Sequence, residues 1–203
     1  MGFSVTADVV KPLAYTLPYA LIFWGMFVFC YLPEFKIVAR SRPAPGEKTD
    51  RGSMTVLMLA SWIGMFAAFA LSGIPAFILQ RGQRIWFAAG IALLLAGTVL
   101  RRHCWRVLGS YFTGNVKASA DQPVIQGGAY RWVRHPSYTG GMLMYLGTGL
   151  ALTNWLSVLV IGAAALLGYL YRVRVEEQAL LSQIGRPYED YMRRTKRFVP
   201  FVF

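Results

Sequence analysis

Residues 136–171, PSYTGGMLMYLGTGLALTNWLSVLVIGAAALLGYLY, form a run of 36 residues without a formally charged side chain. As a single α-helix this run would be about 54 Å long, whereas the hydrocarbon core of a bilayer is about 30 Å thick. Thr153 and Asn154 lie near its middle and are the natural place for a turn. The run therefore predicts a hairpin of two membrane helices, at about residues 137–152 and 155–171.

Three more apolar runs precede the hairpin. Residues 13–32 have the length of one membrane span and end at Pro33, residues 54–72 are followed by Pro75, and residues 85–100 form a short third run. We therefore predict an all-α integral membrane protein with five transmembrane helices, folded as a single domain over residues 1–203. Four spans, with residues 136–171 as a re-entrant element, would put the basic C-terminal tail outside and spoil the partition of positive charge given below. No Ala-x-Ala-like cleavage site follows a basic region at the N-terminus, so we expect the first span to be retained.

The composition agrees with a membrane protein. Of the 203 residues, 56% are hydrophobic and 15% are charged, and the mean hydropathy is +0.43. A soluble domain usually carries about 25% charged residues. An ordinary soluble domain is therefore excluded, and membrane lipids are the expected surroundings of the chain.

The distribution of positive charge predicts the orientation. The chain has 21 Lys and Arg against nine acidic residues, a formal charge of +12. With five spans, one side of the membrane receives only Lys11, Arg81 and Arg84, so the remaining 18 of the 21 basic residues share the other side. Because basic loops stay cytoplasmic, this predicts an outside N-terminus and a cytoplasmic C-terminus. The same bias accounts for the net charge without a nucleic-acid partner.

Polar residues lie at both open ends of the predicted hairpin. The segment GAYRWVRHPSYTG (residues 128–140) leads into its first helix, and Arg172, Glu176 and Glu177 follow its second helix. Since both ends of a hairpin lie on one side of the membrane, we expect these groups to meet, and charges at a bilayer boundary are functional candidates. Taken singly, each has a structural explanation. Arg172 and Glu176 could form an i,i+4 ion pair, and the arginines of residues 128–140 could be interfacial anchors.

The chain becomes amphipathic beyond the hairpin. Apolar side chains recur near helical spacing after residue 171. Gly185 is typical of a helix C-terminus, and Pro187 is typical of the first turn of the next helix. We therefore expect one helix to end at Gly185 and another to begin beside Pro187.

Two sequence blocks resemble a known family. Residues 128–140 follow the pattern Gly-x-Tyr-x-x-x-Arg-His-Pro-x-Tyr-x-Gly, and residues 176–191 follow Glu-Glu-x-x-Leu-x-x-x-x-Gly-x-x-Tyr-x-x-Tyr. Together they resemble the isoprenylcysteine carboxyl methyltransferase and phospholipid methyltransferase superfamily of integral membrane methyltransferases. The resemblance implies a catalytic region at about residues 109–200. It also implies that S-adenosyl-L-methionine binds at the cytosolic surface, between the loop before helix 4 and the C-terminal helices.

The resemblance also assigns site residues. Arg172 is implied as the catalytic group that binds the substrate carboxylate, and His135 as a second catalytic candidate. A further polar contact with the cofactor would fall near Asn115. The cofactor-binding candidates are Gln122, Pro123, Val124, Ile125, Tyr130, His135, Pro136, Ser137, Tyr138 and Glu176. No metal site is expected, because His103 and Cys104 are adjacent and lack partners at ligand spacing.

The residue types suit methyl transfer to a lipid-like or small acceptor. Glu176 can accept hydrogen bonds from the cofactor ammonium, and the rings of Tyr130, Trp132 and Tyr138 can face its sulfonium by cation–π attraction. Arg172 favours carboxyl O-methylation of an isoprenylcysteine-type substrate, because a carboxylate is ionised at neutral pH and needs no base.

Other functions stay open at this point. N- or S-methylation of a phospholipid amine or a small thiol is one alternative, and an amine would need His135 or Glu177 as a general base. A sterol-type membrane reductase and a non-catalytic membrane scaffold are alternatives from other classes.

Overall fold

The computed structural model describes residues 11–40, 50–112 and 122–200, and these residues contain helices but no β-strand. Short 3₁₀ turns lie at Leu13–Tyr15, Pro75–Phe77, Gly109–Tyr111 and Gly128–Arg131. The α-helices are α1 (Tyr19–Arg40), α2 (Ser53–Leu71), α3 (Gln83–Leu108), α4 (Pro136–Ala151), α5 (Trp155–Ile184) and α6 (Arg186–Arg194).

Three of these helices are long and apolar enough to cross a membrane. They are α2, α3 with the turn that follows it, and α5. The predicted all-α membrane architecture is therefore confirmed. Helix α4 has only 16 residues, and α1 contains Pro33 and Glu34. The number of five spans stays a prediction.

Several helices extend beyond the apolar runs that predicted them. Helix α1 begins at Tyr19 rather than at residue 13 and continues through Pro33 to Arg40. Helix α3 continues to Leu108 and α5 to Ile184. At least one charged pair joins two of these extensions, because Glu34 in α1 pairs with Arg101 in α3. A run of apolar residues therefore marks only part of each helix and does not locate its end.

The predicted turn of the hairpin is confirmed between α4 and α5. Asn154 is fully buried, and its side-chain oxygen accepts a hydrogen bond from the Ser157 amide at 3.1 Å, which caps α5. Its side-chain amide donates to the Ser72 carbonyl at 3.1 Å. Thr153 has a φ of +53°. One buried asparagine thus both reverses the chain and ties the turn to the C-terminal end of α2.

Close packing of α3 on α4 depends on glycine. A Cβ atom at Gly90 would lie 2.3 Å from the Ala151 nitrogen, and one at Gly97 would lie 2.4 Å from the Gly140 carbonyl oxygen. Small residues allow such approach between helix backbones.

The second predicted turn is also confirmed, because α5 ends at Ile184, Gly185 has a φ of +69°, and α6 follows with Pro187 in its first turn. The start of α4, the later part of α5 and α6 therefore lie at one end of the bundle.

Candidate cofactor and acceptor site

A cavity of about 170 Å³ lies at this end of the bundle. Most of its wall comes from the end of α3, residues 122–125, the loop before α4, the first turn of α4, and α5 and α6. Helices α1 and α2 contribute Glu34, Met54 and Leu57. The sequence-predicted residues that line it are Gln122, Pro123, Val124, Ile125, Tyr130, His135, Ser137, Tyr138, Arg172 and Glu176. Pro136 is not a lining residue; it is buried in the first turn of α4, where its ring fits the helix start.

The two ends of the hairpin are joined by a direct hydrogen bond. The Tyr138 hydroxyl in α4 donates to Glu176 Oε2 in α5 at 2.6 Å. Arg172, one turn before Glu176, donates from Nε to the Tyr138 hydroxyl oxygen at 3.3 Å. The structure therefore brings these three predicted site residues together around one phenol.

Arg172 is buried and is already held by an anion. The residue is 2% exposed. Its Nη1 donates to the Ser53 hydroxyl at 2.7 Å and also forms an ion pair with the Asp50 carboxylate. Asp50 and Ser53 were not predicted, because they lie beside the start of α2, far from both sequence blocks. Because this buried guanidinium already binds one carboxylate, it is also suited to bind the carboxylate of a ligand.

His135 is held between two carboxylates and an aromatic ring. Its Nε2 lies 3.3 Å from Glu177 Oε1, and its Nδ1 lies 3.8 Å from Glu176 Oε2. The imidazole stacks on the Tyr138 ring with a centroid distance of 5.5 Å and an interplanar angle of 11°. These contacts fix the orientation of the imidazole in the cavity wall.

Glu177 is the centre of a buried ion-pair network. It is 3% exposed, and Arg134 Nε donates to its Oε1 at 2.9 Å. Arg197 donates to its Oε2 from Nη2 at 2.8 Å and from Nε at 3.1 Å. Because two guanidinium groups stabilise the carboxylate as an anion, Glu177 is poorly suited to act as a general base and well suited to hold the C-terminal segment.

The C-terminal segment is fastened to the loop before α4 by its backbone. The amides of Arg134 and His135 donate to the carbonyls of Lys196 at 2.7 Å and Arg197 at 3.0 Å. The Thr139 hydroxyl donates to the Phe198 carbonyl at 2.8 Å. Residues 195–198 therefore fix the position and orientation of the loop that contains His135.

Two further tyrosines connect α6 to the cavity wall. The Tyr191 hydroxyl donates to the Tyr130 carbonyl at 2.6 Å. Burial raises the pKa of Tyr191 to about 12, and burial also raises the pKa of Tyr130 well above its usual value. Both phenols are therefore neutral at physiological pH, and each presents an uncharged aromatic face and a hydroxyl donor.

Comparison with known proteins gives one consistent result. A sequence model described as the isoprenylcysteine carboxyl methyltransferase family matches residues 90–182. The chain is 30% identical over 152 residues to a protein-S-isoprenylcysteine O-methyltransferase of Tribolium castaneum, covering 73% of this chain and 52% of that protein. It is 32% identical over 151 residues to the Rattus norvegicus enzyme of the same name, covering 73% of this chain and 51% of that enzyme.

A solved structure agrees. The eukaryotic intramembrane Ras methyltransferase, an isoprenylcysteine carboxyl methyltransferase, superposes with a TM-score of 0.65 at 25% identity. The match covers 94% of this chain and 70% of that one. The predicted family resemblance is confirmed. The chain spans about half the length of the curated relatives that it matches.

The matched isoprenylcysteine carboxyl methyltransferase region contains only part of the cavity wall. It includes Arg101, which donates from Nε to Glu34 Oε1 at 2.7 Å and from Nη1 to the Ser137 carbonyl at 3.1 Å. Glu34, in α1, lies before the matched region. Asp50 and Ser53, beside the start of α2, also lie before it. A charge just beyond each apolar run was the only sequence signal for the Glu34–Arg101 pair.

A second cavity, of about 210 Å³, adjoins the first. Its walls are mainly apolar side chains of α1, α2 and α4, among them Phe27, Met65 and Met144. The two cavities share the lining residues Glu34, Met54, Leu57, Arg101 and Tyr169. The isoprenylcysteine carboxyl methyltransferase resemblance did not predict this cavity, because its wall comes largely from helices before the matched blocks.

Two expectations lie outside the cavity. Trp132 does not line it: the residue is 49% exposed, and the Arg131 guanidinium lies 4.8 Å from its ring centroid. The structure therefore does not bring Trp132 to the cavity wall, and its contact with the sulfonium stays a prediction. Asn115 lies outside the described residues.

Within residues 11–40, 50–112 and 122–200, no group of three or more His, Cys, Asp or Glu side chains could hold a metal ion. The absence of a metal stays a prediction.

Proposed function

We propose that this chain is an integral membrane methyltransferase that uses S-adenosyl-L-methionine to methylate the carboxylate of an isoprenylcysteine-type acceptor at the cytosolic membrane interface. One observation carries the proposal. A polar cavity lined by Arg172, Tyr138 and Glu176 shares a wall with an apolar cavity between membrane helices. A substrate with a charged head and a lipid tail needs such a pair of neighbouring environments.

The residues of the polar cavity fit the cofactor. S-adenosyl-L-methionine supplies an electrophilic methyl group on a cationic sulfonium and also carries an ammonium group. The Glu176 carboxylate can accept from that ammonium, and its contact with the Tyr138 hydroxyl fixes its direction. The neutral rings of Tyr130 and Tyr138 can face a sulfonium, each contributing about 0.5–2 kcal/mol by cation–π attraction. We assign residues 122–125, Ser137 and His135 to the remaining wall of the cofactor site.

Arg172 supplies the carboxylate-binding part of the reaction. Its guanidinium can hold an acceptor carboxylate by a two-pronged hydrogen bond, which aligns one oxygen with the methyl group. Methyl transfer is an in-line displacement, so alignment is the main requirement, and oriented binding contributes about 7–11 kcal/mol to such steps. A carboxylate carries no proton at neutral pH, so His135 is not needed as a base and instead holds the wall of the cavity.

The proposed orientation of the chain in the membrane determines on which side the polar cavity lies. We propose five spans with the N-terminus outside and the C-terminus cytoplasmic, which puts the cavity on the cytosolic side. The basic residues of the C-terminal segment, among them Arg193, Arg194 and Lys196, support this orientation. The acceptor tail then stays in the hydrocarbon while its carboxylate enters the polar cavity.

Methyl transfer to competing acceptors tests this function. Purified protein in lipid nanodiscs is supplied with methyl-labelled S-adenosyl-L-methionine and, separately, N-acetyl-S-farnesylcysteine, phosphatidylethanolamine and a small thiol. We expect label only in a base-labile ester of the farnesylcysteine. Label on the amine or the thiol alone, or on none of them, would contradict the proposal. Oxidation of a nicotinamide cofactor without methyl transfer would instead support a membrane reductase.

Filling the apolar cavity is expected to exclude the acceptor tail. Ser61 in α2 lines this cavity, so Ser61→Phe is expected to raise KM for the farnesyl acceptor by at least about tenfold, the effect of losing the burial of a few methylene groups. Affinity for S-adenosylhomocysteine should stay within about twofold, because Ser61 does not line the polar cavity. Leu59→Phe is the matched control, since Leu59 is 56% exposed on the same helix. An equal rise in KM for both variants would show that the second cavity does not hold the tail.

A further inference from the structure

Asp50 forms an ion pair with the residue that is to bind the acceptor carboxylate. We propose that Asp50 is a positioning residue that occupies Arg172 until the acceptor carboxylate replaces it, and that it thereby sets how strongly the site prefers an acid over its ester. This inference rests on the proposed carboxyl methylation. It adds a residue outside the matched family region, because that region begins at residue 90.

The burial of Arg172 explains why a resident anion is needed. The Arg172 side chain is 3% exposed, and a buried cation without a counter-ion is strongly destabilising. Before an acceptor arrives, the carboxylate on Nη1 comes from the protein itself. The Ser53 hydroxyl shares the same nitrogen at 2.7 Å but carries no charge. Asp50 is therefore the carboxylate in direct contact with Nη1 while the acceptor is absent, and Glu176, one turn along α5, adds a further electrostatic attraction.

Asp50 can leave Arg172 without becoming an isolated charge. Its Oδ2 accepts a hydrogen bond from the Met54 amide at 2.9 Å, and its Oδ1 accepts from the Ser53 hydroxyl at 3.0 Å. Both donors belong to the first turn of α2, where the helix dipole favours a carboxylate. The Asp50 side chain is also 16% exposed. A small rotation can thus move this carboxylate from Arg172 to partners that it already contacts.

The acceptor would approach Arg172 from the side on which Asp50 lies. Met54 and Leu57, in the first turns of α2, line both the polar and the apolar cavity. A tail in the apolar cavity therefore brings its head group past the start of α2. Two carboxylates on one guanidinium repel each other, so the acceptor carboxylate and Asp50 compete for Arg172. An ester has no such charge and does not compete.

The competition is tested by the binding of an acid and its ester. N-acetyl-S-farnesylcysteine and its methyl ester are titrated, without methyl donor, into the full-length protein in nanodiscs. In Asp50→Asn the ratio of the ester Kd to the acid Kd is expected to rise by at least about fivefold, since removal of a nearby like charge favours only the anionic ligand. Asparagine still caps helix N-termini, and Asp50→Ser is a second neutral variant that keeps a capping oxygen and should show the same rise.

Controls separate this effect from a structural role. Asp50→Glu keeps the charge, so its ratio should stay within about twofold of the wild type. Glu189→Gln removes an exposed carboxylate from α6, and its ratio should not change. An unchanged or lower ratio in both neutral Asp50 variants would overturn the inference. If the wild type methylates the acid but the ratio does not move, only this inference fails. If the ratio rises but the wild type transfers no methyl group, the proposed function fails alone.

Discussion

Replacement of Arg172 by alanine is expected to lower kcat/KM for the farnesylcysteine acceptor by at least about 100-fold, equivalent to about 2.7 kcal/mol. The reason is that Arg172 is the guanidinium we propose aligns the acceptor carboxylate. Its Nε and Nη1 already form a two-pronged contact with Tyr138 and the Asp50–Ser53 pair. Arg172→Lys is expected to be intermediate, because lysine keeps the charge but lacks the planar fork.

Separate titrations of acceptor and cofactor make this result specific. Affinity for S-adenosylhomocysteine, measured by calorimetry, is expected to stay within about threefold of the wild type in Arg172→Ala, because Arg172 reaches the proposed cofactor residues only through its 3.3 Å hydrogen bond to the Tyr138 hydroxyl, and the stronger 2.6 Å bond from Tyr138 to Glu176 is kept. Arg174→Ala is the matched control, because Arg174 is exposed on the same helix and does not line the cavity. Equal losses of affinity for acceptor and cofactor would contradict the assignment of Arg172 to the acceptor.

Replacement of Glu177 by glutamine is expected to destabilise the folded protein by about 3 kcal/mol. Glutamine has nearly the same shape but no charge, so it leaves Arg134 and Arg197 without their shared anion. Arg134 has a side-chain exposure of 9% and suffers most, whereas Arg197, at 32%, can turn to water. For a chain of this length the loss corresponds to a fall in Tm of roughly 6–12 °C.

An exposed ion pair provides the comparison for Glu177. Glu189 pairs with Arg193 on the surface of α6, with side-chain exposures of 51% and 72%. Such pairs contribute little to stability, so Glu189→Gln should leave Tm almost unchanged. Thermal unfolding of both variants in the same detergent decides the matter. A Glu177→Gln protein as stable as Glu189→Gln would show that the network does not hold the C-terminal segment.

The hairpin could be predicted because its signals are local. A charge-free run longer than a bilayer is thick requires a turn, and Thr153 and Asn154 were the polar residues near its middle. The structure shows that Asn154 does more than end a helix, because it also binds the Ser72 carbonyl of α2. That second contact joins residues far apart in sequence and has no local signature.

The helix ends could not be predicted from apolar runs. Glu34 and Arg172 carry charge, which in isolation marks the edge of a membrane span. In the folded chain, Glu34 is paired with Arg101 and Arg172 with Asp50. These pairs let α1 and α5 continue past their apolar segments. Tertiary partners thus override the meaning of a charge in the linear sequence.

The residues of the candidate site also fall into two groups, those that the sequence predicts and those that only the fold reveals. Tyr138 and Glu176 could be predicted because sequence blocks with recognisable spacing contain them, and the 2.6 Å bond between them joins those blocks. Asp50, Glu34 and the apolar cavity belong to no such block. No periodicity links residue 50 to residue 172, so only the folded arrangement reveals that these two charges meet.

Calorimetric titration with S-adenosylhomocysteine tests most directly whether the hairpin ends and α6 form one cofactor site. We expect the wild-type protein to bind one equivalent and Glu176→Gln to bind at least about tenfold more weakly, because this variant loses the carboxylate that we propose accepts from the ligand ammonium. Glu189→Gln, with a charge removed from the exposed face of α6, should bind like the wild type. Equal affinity in the wild type and Glu176→Gln, or no binding by the wild type, would contradict the account.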